Sequence, residues 1–538
     1  MRWIGVFLGV LSVVEGVKAL KVLTIPFTKA ISATPPARRG LQRRFFSTPL
    51  QNQFPYYYVD ITVGTPPQTI RAHLDTGSSD LVVETGSSDL CTANPATCAP
   101  NGVYNANSSS TYKYLSSDLS IAYLSGEQGT GDYATDSFSI AGAVTLNDFE
   151  FGIMYKTTVT DNILGIGFID NEFGTYLSPP KTYPNLPASL VSAGYISSKA
   201  FSLYLNDVNN PSGGNVLFGG VDSGKYCGPL AKIPMIPDDN FPFLGIIQYD
   251  VELLAVSATR DGVALPLSAG STPQGSALLD SGTTLTLLPS AVTSQIFAFT
   301  GATYDESTGV ATLPCSVKMQ NIILHYKFIS ITIDVPISQL IGFPDASGEI
   351  CFFGIRPNDG GVILGDTFLS STYTVYDQDN LNMYFAQARF NSTDENIVEI
   401  KAGVDGVPQP NGVSCNSGNT STTTTTSTTT TTSTTTTTST TTTTSTTTTT
   451  RTTTQSTTKS TTKSTTTKKT STTKSTTTKR ATTTKHATTK KSTATAKTTK
   501  KPATTTKPPA CYQRFSSGEN GGSVLLYLHK TWCLFGTI

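Results

Sequence analysis

One short segment occurs twice in the chain, and this repetition restricts the fold more than any other feature. Ala72-His73-Leu74-Asp75-Thr76-Gly77-Ser78 returns as Ala277-Leu278-Leu279-Asp280-Ser281-Gly282-Thr283. The same apolar–apolar–Gly signature follows each copy. Asn162-Ile163-Leu164-Gly165 closes 90 residues beyond Asp75, and Val362-Ile363-Leu364-Gly365 closes 85 beyond Asp280. Two elements in the same order at nearly the same separation predict two lobes of similar topology. A pseudo-twofold relation between the lobes would bring the two Asp turns face to face.

The residues around the repeat are those of strands. From Phe54 onward, β-branched and aromatic runs alternate with turn clusters: Tyr56–Val63 before Gly64-Thr65-Pro66-Pro67, Phe201–Leu205 before Asn, Asp and Gly, and Ile329–Val335 before Pro336. Helical periodicity is scarce, the best short helices being Pro187–Gly194 and Ser290–Phe299. The expected class is all-β.

Each Asp ends an apolar strand and enters a turn of small residues. Gly77 and Gly282 allow the two turns to approach closely. Thr76 and Ser281 carry hydroxyls that can bond across the junction, and Ser78 and Thr283 can orient the carboxylates. Two carboxylates in one site cannot both ionise cheaply, so one proton is held between them and the pair titrates as a unit. The ionised partner can take a proton from a water that attacks a peptide carbonyl, while the protonated partner donates to the carbonyl oxygen. Neither a metal nor a cofactor is needed. No Cys-x-x-Cys, His-x-x-x-His or Gly-x-Ser-x-Gly occurs, so a zinc enzyme or a Ser-His-Asp hydrolase has little support. Of the four His residues, His73 lies in the strand entering Asp75, where a structural role is expected.

Across roughly residues 54–390 the sequence resembles the pepsin family of aspartic endopeptidases. Tyr57 to Gln68 is similar to the family's opening strands, Asp75-Thr76-Gly77-Ser78-Ser79 to its first catalytic turn and Asp280-Ser281-Gly282-Thr283-Thr284 to its second. Phe218-Gly219-Gly220-Val221-Asp222 resembles the lobe junction, placing the boundary near 220–235. Ile363-Leu364-Gly365-Asp366 and Tyr373–Asp377 resemble the closing strands. The resemblance implies a bilobal pepsin-like fold with pseudo-twofold symmetry over 45–415, hydrolysis by water attack, and Asp75 and Asp280 as the catalytic pair. It also implies a hairpin flap, with Tyr123 as the flap residue. Protein or peptide substrates, no nucleic acid partner and a monomer follow from the same likeness. By the same likeness Cys91 pairs with Cys98 and Cys315 with Cys351; Cys227 with Cys415 and Cys511 with Cys533 stay open.

Three departures from the family pattern stand out. Leu124 follows the flap Tyr where Gly is usual, and Val82 stands where the family often has a Trp that bonds the flap Tyr. Thr76-Gly-Ser-Ser-Asp-Leu81 is echoed at once by Thr85-Gly-Ser-Ser-Asp-Leu90, preceded by Glu84, which reads as an insertion-like surface loop. A catalytically weak scaffold serving as a wall glycoprotein or binding module is the alternative that the first two departures keep open. Wall-associated relatives cut at basic sites, and Glu127 in the flap hairpin is compatible with that preference.

The two ends of the chain differ from its middle in charge. Residues 1–44 carry +7, residues 45–415 carry −22 and residues 416–538 carry +16, although the whole chain is +1. Met1-Arg2 and the apolar run Trp3–Val14 read as a signal peptide over 1–19. Residues 20–44, with paired bases at Arg38-Arg39 and Arg43-Arg44, read as a basic propeptide. Secretion suits the eight Cys and the sequons at Asn107, Asn391 and Asn419. Thr420–Thr450 holds only Ser and Thr, and Lys joins the pattern beyond it, so 416–510 reads as a disordered, O-glycosylated stalk. Its basic charge could hold anionic wall polysaccharide. The role of 511–538 is open between a lipid-anchor signal and a plain tail. The stalk resembles the Ser/Thr-rich extensions of fungal wall-associated (yapsin-like) members.

Overall fold

Strands dominate because side chains of alternating polarity leave one buried face per strand. A computed structural model describes residues 21–30, 56–142, 144–177, 179–210, 212–267 and 275–415. The expected signal peptide, both dibasic sites, the stalk and the C-terminal segment lie outside the described residues, as do Asn419, Cys511 and Cys533. The first ten strands are β1 (Leu23–Ala30), β2 (Tyr56–Val63), β3 (Gln68–Asp75), β4 (Leu81–Glu84), β5 (Lys113–Ala122), β6 (Gln128–Ile140), β7 (Val144–Thr157), β8 (Asn162–Gly165), β9 (Ala200–Tyr204) and β10 (Ser212–Phe218). They belong to one thirteen-stranded sheet, completed by Tyr226–Pro234, Thr372–Asp377 and Asn382–Ala388. Helices are few and short; Leu186–Ser192 and Ser290–Thr300 fall where helical spacing was read.

The predicted repeat is present as topology. In the first lobe β2 pairs antiparallel with β3, β3 parallel with β8, β8 antiparallel with β4, and β4 parallel with β7. In the second, Asp250–Leu253 pairs antiparallel with Gly275–Leu279, which runs parallel to Val362–Leu364. That strand is antiparallel to Thr286–Leu288, which is parallel to Ile355–Pro357. The same four pairing senses recur in the same order. One continuous apolar cluster, from Ile61, Leu74 and Phe151 to Leu279, Leu324 and Phe353, underlies both lobes.

One strand lies in a segment expected to be leader. β1 sits between β10 and β2, with Leu23 opposite Phe218 and Lys29 opposite Tyr57. Leu23, Ile25 and Phe27 point into the core while Thr24 and Pro26 face out, a clean period of two. Removal of 20–44 would therefore vacate a strand inside the sheet.

Three disulfides are formed among the described residues: Cys91–Cys98, Cys315–Cys351 and Cys227–Cys415. The last closes a separation of 188 residues and ties the end of the folded region to Tyr226–Pro234. Loop-closure entropy for so long a loop is worth about 5 kcal/mol, and native bridges of this kind usually contribute about 2–5 kcal/mol. Replacing both Cys227 and Cys415 by Ala should lower the urea midpoint, with a somewhat steeper denaturant slope because the unfolded chain, freed of the crosslink, exposes more surface. Denaturation followed by tyrosine fluorescence and circular dichroism will check this, and an unchanged midpoint would refute it.

Candidate active site

The two repeated turns meet where the parallel strand pairs end. β3 delivers Asp75, whose register partner on β8 is Gly165; the strand Gly275–Leu279 delivers Asp280, with Leu279 opposite Leu364. The apolar–apolar–Gly signature has a steric cause. A Cβ on Gly165 would lie 2.6 Å from the Ser79 backbone nitrogen, and one on Gly365 would lie 2.1 Å from the Thr283 carbonyl oxygen. Only a bare Cα lets each turn cross its neighbouring strand.

Side chains then lock the turns together reciprocally. Thr76 Oγ1 donates to the Leu279 carbonyl at 2.9 Å and accepts from the Ser281 N–H at 2.9 Å. Ser281 Oγ donates to the Leu74 carbonyl at 2.9 Å and accepts from the Thr76 N–H at 3.2 Å. Both residues are essentially closed to solvent. Each carboxylate is held alike within its own turn. Asp75 accepts from the Gly77 N–H at 2.8 Å and from Ser78 Oγ at 2.5 Å. Asp280 accepts from the Gly282 N–H at 2.8 Å and from Thr283 Oγ1 at 2.6 Å. A Cβ on Gly77 would lie 2.5 Å from Asp280 Oδ1, and one on Gly282 would lie 2.3 Å from Asp75 Oδ1. The site thus brings together all eight residues read from the repeat.

Burial and the charge of Asp280 push the Asp75 carboxyl up to about 8, against the pull of the Ser78 hydroxyl and the Gly77 N–H. A proton is therefore held on the pair well above the ordinary carboxylate range.

Tyr123 closes the hairpin between β5 and β6, where its N–H donates to Glu127 O and its carbonyl accepts from Gly126 N–H, each at 2.9 Å. Its phenol is held un-ionised by burial and then by the charges of Asp75 and Asp80, and its ring packs against the cluster that contains Val82 and Ile163. Leu124 next to it is 87% exposed at the hairpin tip. Val82 is fully buried in a small cluster beneath this hairpin. Asn107 and Asn391 are exposed, and the Asn391 amide also contacts Asp207 at 3.2 Å.

The echo of the first turn lies apart from the pair. Glu84 is buried and its carboxylate accepts from Ser88 Oγ at 3.0 Å and contacts Cys91 Sγ at 3.3 Å. Gly86, Ser87 and Asp89 are exposed, with Thr85 and Ser88 buried as anchors, so only part of the segment is surface. Glu84, Cys91 and Cys98 lie close enough to hold an ion, but the two sulfurs are joined in a disulfide and offer no thiolate.

Two features escaped sequence reasoning. Asp366 is fully buried, and neither oxygen has a hydrogen-bond partner among the described residues. Burial first, then the charges of Asp280 and Asp75, keep it protonated, against the opposing pull of Lys29. The signal was an acid directly after Ile363-Leu364-Gly365. Asp80, five residues beyond Asp75, accepts two tyrosine hydroxyls, from Tyr133 and Tyr183.

Residues 56–388 match the sequence model of the eukaryotic aspartyl proteases. The chain belongs to the eukaryotic aspartyl protease family. It is 38% identical over 422 residues to a probable aspartic-type endopeptidase OPSB of Trichophyton verrucosum, covering 74% of this chain and 84% of that one. It is 32% identical over 380 residues to barrierpepsin of Saccharomyces cerevisiae, covering 65% and 63% respectively. Among solved structures, the aspartic proteinase of Irpex lacteus superposes with a TM-score of 0.52 at 22% identity, covering 70% of this chain and all of the other; this likeness speaks to fold alone. This aspartyl protease is an aspartic-type endopeptidase, and its bilobal β architecture is that of pepsin-like enzymes.

Proposed function

We propose that the protein is a secreted endopeptidase that hydrolyses peptide bonds in acid by water attack, with Asp75 and Asp280 as the catalytic pair. The observation that carries this reading is the reciprocal Thr76–Ser281 lock, which brings two buried carboxylates into one site. A water between them loses its proton to the ionised carboxylate as its oxygen attacks the scissile carbonyl. The other carboxyl donates its proton to the carbonyl oxygen, giving a neutral tetrahedral diol. Collapse returns a proton to the leaving amine and regenerates the pair with one proton. Tyr123 covers this chemistry, and the hydroxyls of Ser78 and Thr283 keep each carboxylate oriented during the transfer.

Secretion is supported by the leading apolar segment, the Cys content and the three disulfides, which persist in oxidising surroundings. The basic Ser/Thr stalk would act as a spacer holding the acidic body near a cell wall or surface. The test is cleavage of a peptide library at several pH values, with and without a statine-type transition-state mimic. Cleavage should be fastest in mild acid and blocked by the mimic. Peptidase activity that is insensitive to the mimic and fastest above neutrality would overturn the reading.

A further inference from the structure

Beneath the flap hairpin lies a small apolar cluster separate from the main core: Val82, Leu119, Ile121, Tyr133, Met154, Val159, Ile163 and Tyr183, with Tyr123 and Phe173 packed against it. Six of these ten side chains come from strands whose ladders fix them. Tyr183 comes from the irregular stretch before the helix Leu186–Ser192, so no ladder holds its ring. What holds it is polar. Its hydroxyl donates to Asp80 Oδ1 at 2.8 Å, its N–H donates to Glu172 Oε2 at 2.9 Å, and its ring meets that of Tyr133 edge-on at 5.9 Å.

Asp80 is a junction of four structural elements, the Tyr183 stretch among them. Its Oδ1 also accepts from Tyr133 Oη, on the flap's return strand β6, at 3.1 Å. Its Oδ2 accepts from the Phe173 N–H at 2.9 Å, and its carbonyl accepts from the Gly165 N–H at 3.0 Å. Asp80 belongs to the same turn as Asp75, and both charges bear on the Tyr123 phenol. At 5% exposure the carboxylate has little solvent to replace a lost partner.

We propose that Tyr183 is a positioning residue for the flap, coupling the platform under Tyr123 to the first active turn through Asp80. The inference rests on the reading of Tyr123 as the flap residue. The ring of Tyr183 supplies bulk under the hairpin in the same cluster as Val82, and its hydroxyl fixes that bulk to the turn that carries Asp75. Loss of the bond leaves the dyad and its grip untouched but lets the platform shift, so the flap spends more time open. Ground-state capture of substrate suffers more than the chemical step.

The test is Tyr183→Phe, which keeps the ring and removes only the bond. Steady-state cleavage of an internally quenched peptide should show KM raised about tenfold, with kcat within about threefold of the parent enzyme. In parallel, hydrogen exchange of the substrate-free protein should speed up in Ser120–Gly131 and remain unchanged in β9 and β10. An unchanged KM with unchanged flap exchange would overturn the proposal. So would a fall in kcat equal to the rise in KM with faster exchange everywhere, which marks a merely structural residue. The exchange readout needs no activity, so it stands even if the parent enzyme cleaves no peptide and the catalytic reading fails.

Discussion

Asp280→Asn should reduce kcat/KM for a peptide substrate by about 10⁴-fold or more while leaving the protein folded. The size follows from the chemistry asked of the pair. Positioned general acid–base groups contribute about 10²–10⁴ each, and here one residue change disables both roles, because the proton is shared. Four decades correspond to about 5.4 kcal/mol of lost transition-state stabilisation. The fold should survive, since the amide has the shape of the carboxylate. Its oxygen can still accept from the Gly282 N–H, and its NH₂ can donate to the Thr283 hydroxyl, which turns to accept. The Thr76–Ser281 lock does not involve the carboxylate at all. Removing the Asp280 charge also removes one of the causes that raise the Asp75 carboxyl, so Asp75 should ionise at lower pH in the variant. Peptidase assays at mildly acid pH with circular dichroism and a melting curve will check all three outcomes. Parent-level activity in a folded Asp280→Asn protein would remove the dyad from the mechanism.

The site was readable in the sequence because the chemistry is local to the repeat. Asp75, Asp280 and their supporting hydroxyls lie in two heptapeptides, and the distant Gly165 and Gly365 could be found because each must pass under a turn with no room for a side chain. Residues that act across space without a repeat left no such trace. Tyr183 reaches Asp80 from a loop that has neither helical nor strand period, so nothing in its neighbourhood points to a role. β1 left a trace of another kind. Its period of two is present in Leu23, Ile25 and Phe27, inside the basic segment read as leader, and pairing in the uncleaved chain is compatible with that reading. Cys227 and Cys415 were open for a third reason: pairing depends on Cα separation, here 5.4 Å, which spacing along the chain does not encode.

Stability should peak in mild acid and fall as pH rises toward 8, an uncommon direction for a protein with so many acids. The sign follows from carboxyls whose burial outweighs any positive charge nearby. Burial pushes Asp250 up to about 7, helped by Asp238 and Asp239, and pushes Glu84 up to about 8 and Glu172 up to about 9. Asp75 is raised to about 8 by burial and Asp280, and Asp366 is raised by burial and the same pair. In the unfolded chain these groups ionise near the ordinary carboxylate range of about 4. Between that range and their folded values the native state binds more protons than the unfolded state, so stability falls with pH, by up to about 1.4 kcal/mol per pH unit for each such group. Below about pH 4 the slope reverses. Asp118, held down by Lys181 and Ser116, and Glu399, held down by Lys401, then lose stabilising charge as they protonate. Lys29, lowered to about 8 by burial, acts only above that pH and in the opposite sense. Several raised carboxyls titrating together should lower the melting temperature by about 10 °C or more between pH 5 and pH 8. Scanning calorimetry across that range, with Glu172→Gln as a comparison, gives the check. The variant should flatten the descent, because a neutral amide has no charge to bury, and a melting temperature that rises from pH 5 to pH 8 would show that these carboxyls are ionised in the folded state.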